Sequence, residues 1–69
     1  MENNVYSVSE IVGSSENSIS EAIQTAISKA SENIRNLEWF EVSSIRGWVK
    51  DDKVGHYQVT LKLGFKYDK

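Results

Sequence analysis

The chain has 69 residues, with no cysteine, one histidine and a formal net charge of −2 at pH 7. Without cysteine there is no disulfide, thiolate metal site or cysteine nucleophile, and a lone histidine cannot build a histidine-rich metal site. An acidic pI of about 5.2 argues against sequence-independent nucleic-acid binding. We therefore expect one domain over residues 1–69, with no metal and no nucleic-acid partner.

No apolar run approaches the roughly 20 residues that span a bilayer, and residues 1–4 are polar rather than signal-like. We therefore expect a cytoplasmic protein with no membrane partner. Chains this short bury only about 60% of their unfolded surface, yet this one carries two Trp, three Tyr and two Phe. Oligomerisation is the first candidate for covering these aromatic side chains.

The first two predicted elements are a strand and a helix. β-forming residues over 5–12 predict the strand, and the Gly-Ser-Ser sequence at 13–15 is expected to end it. A capping box then predicts two bonds: the Ser18 hydroxyl accepts from the Glu21 N–H, and the Glu21 carboxylate accepts from the Ser18 N–H. Apolar residues at steps of three and four predict a helix over 19–36, roughly 27 Å long. That length suffices to cross a three-stranded sheet.

Two further strands are predicted over 37–49 and 54–67, joined by a polar connector of hairpin length at 50–53. In the last strand, apolar and polar residues alternate, so that one face is apolar and the other mostly polar. The predicted class is α+β, with the element order β-α-β-β.

The register of the predicted hairpin follows from arithmetic. If Val49 faces Val54, the numbers of all paired residues sum to the same value. Phe40 then faces Leu63, which places the apolar residues of both strands on the side covered by the helix. The opposite side carries Trp39, Glu41, Ser43 and Ile45 next to Gln58, Thr60, Lys62 and Gly64.

Within that register Trp39 faces Gly64, and Glu41 faces Lys62 as a favourable cross-strand pair. Three interpretations of Trp39 remain open. The ring covers the glycine backbone, it forms a subunit contact, or it is a stacking platform for a planar ligand. The parity of the strand disfavours a core position.

Gln58 shares the face of Trp39 but lies far from it. Its predicted partner, Ile45, is six residues from Trp39, which is about 20 Å at 3.3 Å per residue. A small ligand that touches both side chains must therefore lie where two or more chains meet. A glutamine amide suits a ligand with adjacent N–H and C=O groups, and the alternative is a solvated polar residue.

Arg46 falls on the core side in a strict register. Either a bulge near residues 45 and 46 rotates it outward, which Gly47 would permit, or it lies beyond the edge of the helix cover. Its guanidinium either pairs with Glu38 or Glu41, or anchors a phosphate.

The sequence contains no catalytic constellation, so no catalytic residue is predicted and the protein is not expected to be an enzyme. Two ring-bearing residues are left over. His56 is expected at the surface, and Trp48, near the hairpin tip, is expected at an interface or a rim.

Several motifs together carry a family resemblance. They are Val-Gly-Ser-Ser at 12–15, Leu-Glu-Trp-Phe-Glu-Val at 37–42, Ile-Arg-Gly at 45–47, Tyr-Gln-Val at 57–59 and Leu-Gly-Phe at 63–65. In order and spacing, from about residue 6 to residue 67, the chain resembles the dodecin family. The resemblance implies a β-α-β-β protomer whose three-stranded antiparallel sheet wraps around one helix. It also implies a hollow homododecamer that stores flavin.

By that resemblance, Trp39 matches the tryptophan that stacks on the isoalloxazine ring. Gln58 matches the glutamine at the polar edge of the ring, and Arg46 the arginine near the ribityl phosphate. FMN is the expected flavin, with riboflavin or lumichrome as alternatives. Lys29 and Lys66 stand at positions often occupied by arginine that holds coenzyme A, and Glu38 completes the expected cofactor-binding set.

Three hypotheses follow. The leading one is a flavin-sequestering homo-oligomer in which the indole quenches the excited flavin and so protects it from photochemistry. The second is a ligand-free structural or interaction oligomer, whose exposed aromatic face only holds subunits together. The third, a flavin-dependent enzyme, lacks an acid, a base and a substrate pocket.

Overall fold

The computed structural model describes residues 3–67. It consists of β1 (Tyr6–Ser15), α1 (Ile19–Ser31), β2 (Leu37–Lys50) and β3 (Lys53–Lys66). The strands form one antiparallel sheet in the order β1-β3-β2, so the C-terminal strand is central. The predicted α+β class and β-α-β-β order are confirmed. No helix within residues 3–67 is long and apolar enough to span a membrane.

The core lies between α1 and one face of the sheet, the core face. Val59, Leu61 and Leu63 of β3 are fully buried there against Ala22 and Ala26 of α1. Alternate residues of β3 point away from the helix. We call that side the outer face; on β3 it carries His56, Gln58, Thr60, Lys62 and Gly64.

Gly13 lies inside β1, so the prediction that the Gly-Ser-Ser sequence ends the strand was wrong. β1 runs through Ser15, and Gly13 is buried beneath the helix. A Cβ atom at Gly13 would lie 2.8 Å from the Ala26 Cβ and would overlap the Ala22 carbonyl oxygen. Glycine is required here because backbone and helix approach too closely for any side chain.

We therefore expect Gly13→Ala to destabilise the fold by about 1–3 kcal/mol, the usual cost of overpacking a close contact. Thermal unfolding followed by circular dichroism measures the change. Gly55→Ala is the matched control, because its Cβ would meet the Lys50 Cβ at 3.3 Å and the Trp48 carbonyl oxygen at 3.4 Å, both longer than the two shortest contacts at Gly13. Equal effects of the two substitutions would contradict the close-packing explanation.

The start of α1 confirms half of the predicted capping box. The Ser18 hydroxyl accepts a hydrogen bond from the Glu21 N–H at 3.0 Å. The predicted return bond was wrong: the Glu21 carboxylate accepts from the Ser15 hydroxyl and the Asn17 amide. The Ser18 N–H donates instead to the Ser15 hydroxyl, because the longer β1 brings that hydroxyl to the helix start. These bonds, the Ser15 hydroxyl first, lower the pKa of Glu21.

A lowered pKa means that folding favours the charged carboxylate, so its stabilisation is lost as the pH falls. We expect wild type and Glu21→Gln to differ in stability above the ordinary glutamate pKa of about 4.3. Their unfolding curves should converge as the pH falls through the lower native pKa. Ser15→Ala removes the hydroxyl that contributes most to the lowered pKa of Glu21. With Ser15 replaced, the stabilisation by the Glu21 carboxylate should be lost at a higher pH. Parallel acid-unfolding profiles for all three proteins would contradict this account.

α1 ends at Ser31, five residues before the predicted end, so the extent of the predicted helix was wrong. The N–H groups of Asn33 and Ile34 bond to the Ala30 carbonyl, and Asn36 has a left-handed φ of 62° that turns the chain into β2. Ile34 still packs against the core. The apolar periodicity therefore marks core contacts beyond the last helical turn.

The strand ends and the hairpin also differ slightly from prediction. Asp51 and Asp52 form a two-residue turn with φ angles of 53° and 63°, the conformation of a type I′ turn. This turn matches the twist of the flanking strands. β2 and β3 therefore reach Lys50 and Lys53, and the four-residue connector was too long.

The helix does not cover the whole sheet. α1 packs mainly on β1 and β3, and on the core face of β2 the side chains of Phe40, Val42 and Ile45 are 47%, 37% and 54% exposed. The protomer is elongated, 54 × 20 × 15 Å, with a radius of gyration of 14.4 Å. A compact domain of this length has a radius of roughly 11 Å. The protomer therefore leaves an apolar strip of β2 uncovered.

Candidate functional site

The register between β2 and β3 confirms the predicted pairs at the start of β2. Trp39 faces Gly64, Phe40 faces Leu63 and Glu41 faces Lys62. The register then shifts by one residue between Val42 and Ser44. A one-residue shift moves the side chains that follow it to the other face of the sheet. A second shift, between Trp48 and Val49, restores the predicted pairing of Val49 with Val54.

Beyond this shift, Arg46 faces Gln58 and Ile45 faces Val59. Arg46 therefore shares the outer face with Gln58, whereas Ile45 lies on the core face. The predicted pairing of Gln58 with Ile45, and the outer-face position of Ile45, were wrong. A bulge near residues 45 and 46 was one of two predicted ways to turn Arg46 outward; the shift lies slightly earlier in the strand.

Trp39 covers Gly64. The glycine is buried, and a Cβ built on it would overlap the six-membered ring of the indole at Cδ2, Cε2 and Cζ2. The ring therefore lies over the strand backbone, while Trp39 as a whole remains 40% exposed. The first of the three predicted roles of Trp39, covering the glycine backbone, is therefore confirmed within one protomer. The exposed part of the indole is left for a second contact.

Tyr6 and Glu38 support the Trp39 ring from the side. The Tyr6 ring meets it edge-on, with centroids 6.2 Å apart and planes inclined by 61°. The Tyr6 hydroxyl donates to the Glu38 carboxylate at 3.2 Å. This hydrogen bond and the carboxylate charge raise the pKa of the phenol. We call Tyr6, Glu38, Trp39 and Gly64 the tryptophan cluster.

Tyr6 was missed by the sequence analysis, which considered pairing only within the hairpin. The pairing of β1 with β3 brings Tyr6 to this site, since Tyr6 lies opposite Lys66. Lys66 therefore lies on the outer face, two residues from Gly64. Lys29 lies on α1, exposed, and pairs with Glu32 at 3.6 Å. The two lysines occupy opposite sides of the sheet and do not meet within one protomer.

The expected binding residues thus fall into two groups on the outer face. The tryptophan cluster lies at the Gly64 end, and the Arg46–Gln58 pair lies six residues away along β3. That separation is about 20 Å at 3.3 Å per residue. Within one protomer, no small ligand can contact both groups.

The outer face ends in a second ring contact. Trp48 and His56 face each other and stack, with centroids 4.4 Å apart and planes inclined by 20°. The unshifted register would have paired Trp48 with Gly55, so the stack depends on the offset pairing of residues 44–48, which lies between the shift after Val42 and a second shift after Trp48. The contact was therefore not predicted from the sequence.

We expect Gly64→Ala to displace the indole, because the new methyl group would occupy the position of the ring. In a Trp48→Phe background Trp39 is the sole tryptophan, so its emission and acrylamide quenching report this ring alone. The added methyl should make Trp39 more accessible to acrylamide. Gly55→Ala in the same background is the control. Unchanged quenching by Gly64→Ala would contradict the observed packing.

Comparison with known proteins agrees with this architecture. The Dodecin family model matches residues 5–68. A dodecin from Thermus thermophilus is 44% identical over 64 residues, which cover 93% of each chain. The solved dodecin from Streptomyces coelicolor is 43% identical with a TM-score of 0.92, covering 100% of this chain and 99% of that one.

A third relative is a solved variant of the T. thermophilus dodecin in which a tryptophan is replaced by phenylalanine. It is 40% identical with a TM-score of 0.91, and covers 97% of this chain and 100% of that one. The β-α-β-β protomer with an uncovered strand is thus that of a known family of small proteins. The chain belongs to the dodecin family, which confirms the resemblance found in its motifs.

Proposed function

We propose that this protein binds and stores flavin, above all FMN, with the isoalloxazine ring stacked on Trp39 where protomers of a homododecamer meet. The observation that carries the proposal is the indole held over Gly64 and still 40% exposed. A ring fixed in this way can accept a planar π system without first losing side-chain freedom. Tyr6 supports this pre-organisation by blocking rotation toward β1.

Gln58 and Arg46 support a site shared between chains. The Gln58 amide offers a donor and an acceptor to the imide edge of a flavin. The Arg46 guanidinium suits a phosphate. Since both lie about 20 Å from Trp39 in their own chain, the pair is supplied by a neighbouring protomer.

The uncovered strip of β2 supports assembly. Phe40, Val42 and Ile45 lie on one face of an edge strand and are exposed in the protomer. Burial of such side chains stabilises association by roughly 25 cal/mol per Å² of apolar surface. The strip lies on the face of β2 opposite to Trp39, so both faces of this strand have a role in assembly. The number twelve rests on the family resemblance.

Coenzyme A is a further proposal that rests on the resemblance alone. Lys29 and Lys66 lie on opposite sides of the sheet. They could hold one ligand only if they came from different protomers. A lysine ammonium also lacks the bidentate fork of arginine.

The proposed role is storage and photoprotection without turnover. An indole in contact with an excited flavin donates an electron to the ring and regains it, which returns the flavin to its ground state. Such a site needs a stacked aromatic ring and exclusion of solvent, and it needs neither an acid nor a base. The tryptophan cluster provides the ring, and the neighbouring protomer provides the exclusion.

The test is a titration of flavin with protein, followed by flavin emission. Wild type should quench FMN, whereas the emission of bound FMN should recover in Trp39→Phe, because phenylalanine stacks but donates electrons poorly. Trp39→Ala, which removes the ring altogether, should weaken binding by about 0.5–1.5 kcal/mol, the contribution of an aromatic pair beyond area burial. Tyr57→Phe is the matched control, since Tyr57 belongs to the core face of β3.

Native mass spectrometry of the same samples measures assembly. We expect a particle with twelve times the 7.8 kDa mass of the chain. A particle of that size that takes up no flavin would favour the ligand-free structural oligomer. A stable monomer that binds flavin would contradict the shared site, and unchanged FMN emission would contradict the stacking proposal.

A further inference from the structure

Four outer-face residues form a compact block that includes the proposed ring-edge contact, Gln58. Arg46 and Trp48 lie two residues apart on β2, and their partners Gln58 and His56 lie two residues apart on β3. Building on the proposed flavin site, we infer that His56, held by Trp48, is a second basic group of the phosphate subsite. Together with Arg46 it selects the phosphorylated flavin, FMN, over riboflavin.

The spacing of the block suits a phosphate. Diagonal neighbours on an antiparallel pair lie about 7–8 Å apart, which is the relation between Arg46 and His56. A guanidinium and an imidazole at that spacing can both donate to one tetrahedral oxyanion between them. Gln58 is the direct neighbour of both residues. Gln58, proposed to contact the flavin ring edge, therefore lies directly beside Arg46 and His56, proposed to contact the ribityl phosphate.

Trp48 determines which part of His56 meets a ligand. The two rings are 4.4 Å apart and nearly parallel, so the indole occupies one face of the imidazole. The nitrogens on the ring edge are the atoms that remain for a ligand.

Charged groups of both signs lie around His56. Glu16, from the connection between β1 and α1, lines two surface depressions that His56 also lines. Lys50 of β2 lines one of them, and Arg46 is the diagonal neighbour of His56. Ser14 of β1, opposite Gln58, adds a neutral hydroxyl.

The contribution of His56 to phosphate recognition is isolated by comparing wild type with a variant. Riboflavin, which has no phosphate, is the reference ligand.

The experiment measures Kd for FMN and riboflavin at pH 6, in wild type and in His56→Asn. We expect the preference for FMN over riboflavin to fall roughly tenfold in the variant, the loss of one hydrogen bond to a charged group. Riboflavin affinity should be unchanged. The chain has a single histidine, so no other imidazole contributes.

His56→Gln gives a second variant if asparagine disturbs the strand, and native mass spectrometry checks assembly of both. Trp48→Phe should lower the preference for FMN less than His56→Asn does, because a phenyl ring still orients the imidazole. Equal FMN preferences of wild type and both histidine variants at pH 6 would overturn the inference. Equal losses of FMN and riboflavin would also overturn it, since His56 would then act on the ring or the assembly. If wild type binds neither flavin, the proposed function itself fails.

Discussion

The packing of Trp39 on Gly64 is the contact on which the architecture of the outer face depends. A bare glycine in the central strand creates a gap in the layer of side chains, and the indole of the neighbouring strand fills it. The ring is thereby oriented by the backbone of the sheet, which is the most rigid part of a small protein. Tyr6 contacts the ring edge-on, and the Tyr6 hydroxyl is itself held by a hydrogen bond to Glu38.

A second constraint is that the single short helix cannot cover the whole sheet. α1 has 13 residues and packs mainly on two of the three strands, so β2 exposes large side chains on both faces. Trp39 lies on one face, and Phe40, Val42 and Ile45 lie on the other. A monomer with such a strand is poorly covered, and association with other copies is the direct physical remedy. The exposed indole of Trp39 and the uncovered apolar strip are therefore properties of the same strand.

The irregular register of β2 connects these features with the other end of the sheet. Without the shift after Val42, Arg46 would point to the core face and Ile45 to the outer face. With it, Arg46 joins Gln58, and Trp48 stacks on His56. The offset pairing of residues 44–48 thus places Arg46 and Trp48 on the outer face, while Ile45 stays with Phe40 and Val42 on the core face. The shifts on either side of this segment make the contact between Trp48 and His56 possible.

The sequence by itself determined the element order, the pairs at the start of the hairpin and the position of Trp39 opposite Gly64. These depend on strand alternation and hairpin closure, which are local patterns of residue type. Only the tertiary structure decided the short helix, the extension of β1 through Gly13, the role of Tyr6 and the partners of Arg46 and Trp48. Each of those depends on contacts between residues distant in the chain, or on a bulge whose position no pattern of polarity specifies, and the energies involved are small enough for packing to choose among the alternatives.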